Sequence, residues 1–574
     1  MPTIIDNIEL DETNEAFNYA AEFVKHTKKM VYVTGKAGTG KTTFLKYLKK
    51  NTTKNTAIVA PTGVAAINAG GQTIHSFFQI KPSLYVPNDK RLRTIASFNE
   101  EDNSTIHNHF KYSKQKLKII RGLELLIIDE VSMLRCDLLD VIDRLLRVFR
   151  KNMKEAFGGL QVVLIGDTFQ LPPIANFQEW QILKEHYNSP FFFSAKAITE
   201  NKPIYIELKK IYRQNEQQFI NLLNNVRINN ISNRDLYLLN SRYNPNFSPA
   251  ENENYITLAT HNKIVNSTNL TKLAELNTPL ATFEADITGT FPKNIMATNQ
   301  SLKLKAGSQI MFIRNDITKR YYNGKIAKIS KIEDDAITVE FSNGKTLAIE
   351  KQEWNNIKYT WNNKKSRIEE EIIGTFTQFP IKLAWAITVH KSQGLTFERV
   401  IADLGAAFTA GQVYVALSRC TTFEGLVLKT KIGRRAIRTN ARVLDFARQV
   451  TQASLIRKEL NAGKADFHYQ KARAGVKALD FQAVYKQFMT AMDYRNDLHT
   501  TSFKRYFLIA TKKLASYRQK YLNAKLDLEQ KEKENLKLQK KIDALRETNK
   551  EKNKSLREQR KAIARLIEQC KKAK

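Results

Sequence analysis

A chain of 574 residues is longer than one hydrophobic core can serve, and with 42% apolar residues it can bury several, so three or four domains are expected and a disordered or fibrous chain is excluded. Lys and Arg number 92 against 57 Asp and Glu, a surplus of 35 that points to a polyanionic partner, nucleic acid before membrane, with a basic surface kept only for solubility as the plainer alternative. Cys136, Cys420 and Cys570 lie far apart with no CxxC pairing, which excludes a disulfide framework or zinc ribbon and fits a reducing cytosol; the acidic start, residues 1–11, and the lack of an uncharged apolar run of about 18 residues argue against a secretory signal or a membrane span.

Short apolar runs, each followed by a turn and a helical stretch, recur at 31–33, 57–59, 125–128 and 162–165. Runs without polar alternation suit central strands of a parallel sheet covered on both faces, so residues 1–193 are expected to form a doubly wound α/β domain. A polar stretch at about 81–118 interrupts it and reads as a small insertion. Apolar runs resume at 205–208, 255–258, 381–385 and 400–404, predicting a second α/β domain from 194–265 and 376–431. Between its halves, 266–375 changes rhythm. Ile337, Val339 and Phe341 alternate, Ser342, Asn343 and Gly344 offer a turn, and Leu347 and Ile349 resume, which predicts an inserted β-barrel.

Residues 432–510 read as a basic helical extension and 511–574 as a coiled coil. Over 441–574 there are 33 Lys and Arg against 15 Asp and Glu, so about half the surplus lies in under a quarter of the chain. From Leu514 a 3,4 spacing runs through Tyr517, Tyr521, Ala524, Leu528, Lys531, Asn535, Leu538, Ile542, Leu545, Asn549, Lys552, Leu556, Gln559, Ile563 and Leu566 to Cys570. Twelve of these seventeen positions are apolar, which favours a self-associating coiled coil over a merely charged helix. The alternative is a solitary helix held by Glu/Lys pairs, since Lys531 and Lys552 weaken the seam.

Chemistry concentrates near the start. The octapeptide from Gly35 to Thr42 matches G-x-x-x-x-G-K-[ST] directly after a strand and before a helical run. Gly35, Gly38 and Gly40 let backbone N–H groups turn inward around phosphates, with Thr39 and Thr43 beside them. Lys41 can reach the β and γ oxygens and the Thr42 hydroxyl can ligate Mg²⁺, which points to ATP with Mg²⁺. At the end of the third strand, Asp129 can hold the same cation while Glu130 polarises the attacking water. Gln170, at the end of the fourth, could sense a γ-phosphate. Arg213 and Arg419, both placed in the second domain, could supply the cations that such a cleft needs from its far side, although spacing alone does not single them out.

Together the blocks 35–42, 60–66, 71–77, 129–133, 166–173, 212–214, 383–394 and 411–419 resemble the superfamily-one DNA helicases of the Pif type, in the branch that also contains RecD and Dda. The resemblance spans about 31–426 and is greatest to compact bacterial members. It implies two RecA-like domains, a wedge-bearing insertion in the first, an SH3-like barrel in the second, and ATP-driven 5′-to-3′ movement on single-stranded DNA towards junctions with duplex. A bacterial cytosol or nucleoid and a role in replication, recombination or repair follow from the same likeness. The resemblance assigns Lys41, Glu130, Gln170, Arg213 and Arg419 to catalysis, and Pro61, Thr62, Thr73, His75, Thr388, His390, Lys391 and Ser392 to the DNA track. Short hydroxyls, His and Lys suit a sequence-tolerant motor because they contact phosphates without reading bases. Two departures stand out. The family's adenine-recognising Gln has no counterpart, since no Gln precedes Gln72, and Asn14 or Asn18 is expected to substitute. Beyond about residue 431 the likeness fades, leaving the tail as a basic anchor whose removal weakens salt-sensitive DNA affinity more than turnover. The competing class is a recruitment protein with ATP as a switch, which would not need Glu130, Gln170, Arg213 and Arg419 together.

Overall fold

The computed structural model describes residues 14–572 apart from 96–104, 215, 251, 252, 254, 315, 317, 319, 322, 334, 335 and 363–366. The acidic start and part of the polar insertion lie outside the described residues. The chain divides into two compact units, Met1–Lys464 and Ala465–Lys574.

In the first unit, β1 (Val31–Gly35), β2 (Thr56–Ala60), β3 (Gln72–Thr73), β4 (Leu125–Ile128), β5 (Gln161–Ile165) and β6 (Ile204–Leu208) form a parallel sheet in the order β3-β2-β4-β5-β1-β6. Every residue of β1, β4 and β5 is buried. Successive side chains point to opposite faces: Tyr32, Leu126 and Ile128 pack with Phe77 and Phe192, and Val31, Val33, Leu125 and Ile127 with Phe17, Phe23 and Phe44. Residues 204–208, expected in the second domain, instead pair along β1, with Val31 opposite Ile204 and Gly35 opposite Leu208. Without β6 the outer edge of β1 would present unpaired N–H and C=O groups, yet an apolar run carries no label of the sheet it joins.

A second parallel sheet begins with β7 (Ile256–Ala259), and an antiparallel insert follows. Its strands are β8 (Leu280–Glu284), β9 (Asp286–Gly289), β10 (Ser301–Lys305), β11 (Gln309–Phe312), β12 (Ile326–Ile332), β13 (Ile337–Glu340), β14 (Thr346–Ile349), β15 (Gln352–Asn362), β16 (Arg367–Gln378) and β17 (Ile381–Leu383). They form sheets β14-β13-β12-β11-β17 and β10-β8 around Phe283, Leu302, Ile310, Phe312 and Val339, and a third sheet, β15-β16-β9, whose Trp354 and Phe376 join the core of the second parallel sheet. The second parallel sheet then closes with β18 (Ala386–Thr388), β19 (Val400–Asp403) and β20 (Leu426–Leu428), in the order β18-β7-β19-β20.

Both expected edges of the insert move. The helix Asn262–Glu275 carries past 266, so the β region starts only at Leu280. Residues 381–383 belong to the insert, with Ile310 opposite Leu383, and the parallel sheet resumes at Ala386. The chain changes sheets inside one apolar run, where hydrophobic period is silent.

The second unit contains the later part of the helix Ala453–Ala478, the helix Phe481–Tyr494 and the 72-residue helix Thr501–Lys572. Ala465, Tyr469 and Ala491 make its small core, with Phe488 against Phe503 at 5.6 Å. The last helix buries none of its residues, and at about 1.5 Å per residue it is roughly 110 Å long. Among the described residues no helix is long and apolar enough to cross a membrane.

Candidate nucleotide and DNA site

Open parallel sheets bind ligands beyond the carboxyl ends of their strands, and the expected residues gather there. The loop after β1 turns through Gly38 and Gly40 at φ 82° and 86°, and Gly40 starts the helix Lys41–Asn51. A Cβ on Gly38 would come within 2.4 Å of the Arg213 Cβ, so the close approach itself requires glycine. Lys41 Nζ donates to the carbonyls of Gly35 (2.7 Å) and Lys36 (3.0 Å), and Thr39 Oγ1 donates to the latter at 2.9 Å. Desolvation pushes the Lys41 ammonium below the ordinary lysine range, while the carboxylates of Asp167 and Glu130 oppose the shift. Thr42 and Thr43 are exposed on the first turn of that helix.

Asp129 and Glu130 follow β4, with Glu130 held at φ 50°, a left-handed conformation costing a non-glycine residue about 1–3 kcal/mol. The Glu130 N–H donates to Asp129 Oδ1 at 2.9 Å. Burial raises both carboxyls, and for Asp129 the charge of Glu130 adds to it. A buried carboxylate that is costly to ionise is a ligand that a hard divalent cation would relieve.

Gln170 is buried after β5. A Cβ on Gly411, at φ 78°, would lie 2.5 Å from the Gln170 carbonyl oxygen, so the helix Gln412–Leu417 of the second domain meets the first at this point. Arg419 is buried, donating from Nε to Val415 O at 3.0 Å and from an Nη to Leu395 O at 3.3 Å. Arg213, expected in the second domain, lies just beyond β6 of the first and reaches across to the Ser418 carbonyl at 3.2 Å. Burial, with Arg419 adding to it, lowers its guanidinium to about 9. Two desolvated guanidiniums that disfavour one another's charge suit a multiply charged anion.

Several residues escaped sequence reasoning. Gln393 Nε2 donates to Glu130 Oε2 at 2.9 Å and to Gln170 Oε1 at 3.3 Å. The buried Asp167 pairs with Arg227 at 3.0 Å, and that guanidinium lies 3.9 Å over the Phe169 ring. Burial opposes both charges, but pairing prevails, holding the Asp167 carboxyl below its ordinary range and Arg227 above its own. Tyr414 Oη accepts from the Ala37 N–H at 3.1 Å and donates to Asp167 at 3.5 Å. Gln393, Asp167 and Tyr414 stand inside the quoted blocks; Arg227 stands in none and could have been found only through its burial.

Of the adenine candidates, Asn14 caps the helix Glu15–His26 and its Nδ2 reaches Tyr212 Oη at 3.3 Å, beside Gly40. Asn18 lies one turn further along that helix.

The residues expected on the DNA track also sit at or just beyond strand ends. Pro61 and Thr62 follow β2, Thr73 ends β3 beside it, and Thr388 ends β18. The Thr62 and Thr73 hydroxyls cap the helices Gly63–Ala69 and Ile74–Phe78, and His75 Nδ1 lies 3.0 Å from Ile80 O. Thr388 Oγ1 accepts from the Lys391 N–H at 3.3 Å, Lys391 is exposed, and burial lowers the His390 imidazole. Ser392 differs from expectation. It is buried and its hydroxyl donates to Val389 O at 2.7 Å, beside its own N–H at 3.2 Å, so it braces the loop. Lys382 in β17 lies near Lys391: burial, with the Lys391 charge adding to it, lowers its ammonium to about 8. Among the described residues no cluster of three His, Cys, Asp or Glu side chains is arranged for a metal ion.

Residues 10–236 match the PIF1-like helicase family. Over 428 residues the chain is 31% identical to the human ATP-dependent DNA helicase PIF1, covering 72% of this chain and 60% of the human protein, so it spans about three fifths of that relative's length. It is 30% identical over 413 residues to the ATP-dependent DNA helicase Pif1 of Campylobacter jejuni, covering 68% and 86% of the two chains. The crystal structure of Bacteroides sp. Pif1 in complex with ADP-AlF4 superposes with a TM-score of 0.69 at 41% identity, covering 76% of this chain and 96% of that one. With the strand-end residues gathered in the same two parallel sheets, this chain belongs to the PIF1-like helicases.

Proposed function

We propose that the chain is an ATP-dependent DNA helicase that moves 5′ to 3′ along single-stranded DNA and opens duplex or structured DNA, in replication, recombination or repair. One observation carries the reading: Gln393 bonds Glu130 and Gln170, and two residues upstream in the same loop stands the exposed Lys391, which this reading assigns to the track. A shift of the strand therefore displaces a side chain that touches the hydrolytic carboxylate. In this reading Lys41 holds the β and γ oxygens, Glu130 orients the attacking water, Gln170 senses the γ-phosphate, and Arg213 and Arg419 stabilise the charge developing on it. Thr42 and Asp129 would hold Mg²⁺, which supplies charge neutralisation on the phosphates. The loop glycines, Thr39 and Thr43 cradle the nucleotide, and Asn14, through Tyr212, is better placed than Asn18 to meet the base. Pro61, Thr62, Thr73, His75, Thr388, His390 and Lys391 line the strand. Cleft closure and opening then alternate the grip of the two domains on DNA.

The antiparallel insert acts as an SH3-like barrel, residues 81–118 as the wedge, and the 3,4 seam of the tail as a coiled coil that joins two copies, in the cytosol. Unwinding of a duplex with a 5′ single-stranded tail, and not of one with a 3′ tail, is the expected result. The opposite polarity rejects the direction, and ATPase turnover that single-stranded DNA fails to stimulate favours the recruitment protein.

Lys382 adds a pH dependence. A phosphate stabilises its ammonium, so above about pH 8 binding must take up a proton, and affinity for single-stranded DNA should fall between pH 7 and 9, at most about tenfold per pH unit. Lys382→Met should bind more weakly at pH 7 with a flatter profile. Anisotropy titrations at constant ionic strength that give parallel profiles for both proteins remove Lys382 from the track.

A further inference from the structure

The exposed helix Thr501–Lys572 is uniform in conformation but not in charge. Residues 501–526 contain seven cations, Lys504, Arg505, Lys512, Lys513, Arg518, Lys520 and Lys525, and no acidic residue. Residues 527–572 carry nine acidic residues among fifteen basic ones, so the basic excess per residue is lower and carboxylates are available to neutralise it. All seven proximal cations are exposed.

The seam also extends upstream. Phe503, Phe507 and Ala510 continue the 3,4 spacing into Leu514, Tyr517, Tyr521, Ala524 and Leu528, and none of the seven cations occupies a seam position. Phe503 already packs on Phe488 within this unit, while Phe507, Tyr517 and Tyr521 remain more than half exposed. Pairing through the seam would cover these aromatics and leave the cations facing outward around the rest of the circumference.

We propose that residues 501–526 form a binding surface for the phosphate backbone of duplex DNA, separate from the single-strand track, while the helix beyond Asp527 serves pairing alone. The inference rests on the helicase reading for its biological setting, but its chemistry does not depend on ATP. A segment of this length spans roughly 39 Å at about 1.5 Å per residue. A rigid rod of that length, with cations and no neutralising carboxylate, complements a duplex, which presents about one phosphate per 1.7 Å. Single strands are the weaker fit because their affinity draws on aromatic faces for stacking, and here those faces lie in the seam.

The test replaces all seven by Gln in the full chain and compares this protein with a second variant in which seven cations off the seam, Lys533, Lys537, Lys540, Lys541, Lys550, Lys554 and Lys561, become Gln. Affinity for a blunt duplex and for an oligothymidine is measured against salt, with helicity from circular dichroism and mass from sedimentation. The proximal variant should lose about tenfold or more in duplex affinity near 0.1 M salt, with the slope of log K on log salt reduced by about 0.9 per lost phosphate contact. Its helicity, mass and oligothymidine-stimulated ATPase should match the parent, and the distal variant should bind duplex like the parent. Equal loss in both variants, loss confined to the single strand, or unchanged duplex affinity with lost binding to anionic phosphatidylserine vesicles would overturn the proposal. Failure of the helicase reading shows separately, as a parent protein whose ATPase does not respond to oligothymidine.

Discussion

Lys41→Ala should lower ATP hydrolysis to below about one thousandth of the parent value and abolish unwinding, because an ammonium aimed at the β and γ oxygens acts on charge that grows in the transition state. Binding of single-stranded DNA should persist within a few fold. The residues proposed for the track lie after β2, β3 and β18, whereas Lys41 opens the helix after β1 and is bonded to the Gly35 and Lys36 carbonyls. Steady-state ATPase with and without oligothymidine, alongside anisotropy, separates the two functions. DNA-stimulated turnover retained by this variant would remove Lys41 from the reaction.

Arg213→Ala should cost about 10³-fold in ATPase turnover, the range typical of a cation brought to the γ-phosphate from across a cleft. Nucleotide affinity should change far less, so the loss appears in kcat rather than KM. Lys at this position should rescue poorly, since it lacks the planar fork that spans two oxygens. Arg213 is a cleaner test than Arg419, which is fully buried and bonded to the Leu395 carbonyl, so that its removal would also leave that carbonyl without this donor in the core. Unchanged kcat with raised KM would reassign Arg213 to binding alone.

The parts of the site that could be read in the sequence are those in which the chemistry dictates consecutive residues. A phosphate loop must be a run of glycines, a lysine and a hydroxyl between strand and helix, and a metal-holding carboxylate must end a strand. Gln393 stood in view inside its block, but its approach to Glu130 spans 263 residues of chain, and no local pattern encodes such a pairing. Arg227 and Asp167 were hidden for the same reason. The Asn14 contact with Tyr212 joins residues 198 apart in the chain and was equally invisible to local pattern.

The sequence by itself determined the two parallel α/β domains, the antiparallel insert and the helical tail, because hydrophobic period and turn chemistry are local properties of a chain. Tertiary structure alone decided which sheet received residues 204–208 and 381–383, that Ser392 braces a turn, and that Arg213 leaves the first domain to touch the second. Each of these depends on which backbone edges and carbonyls come within reach once the sheets have formed, and that is a property of the assembled fold, not of any segment within it.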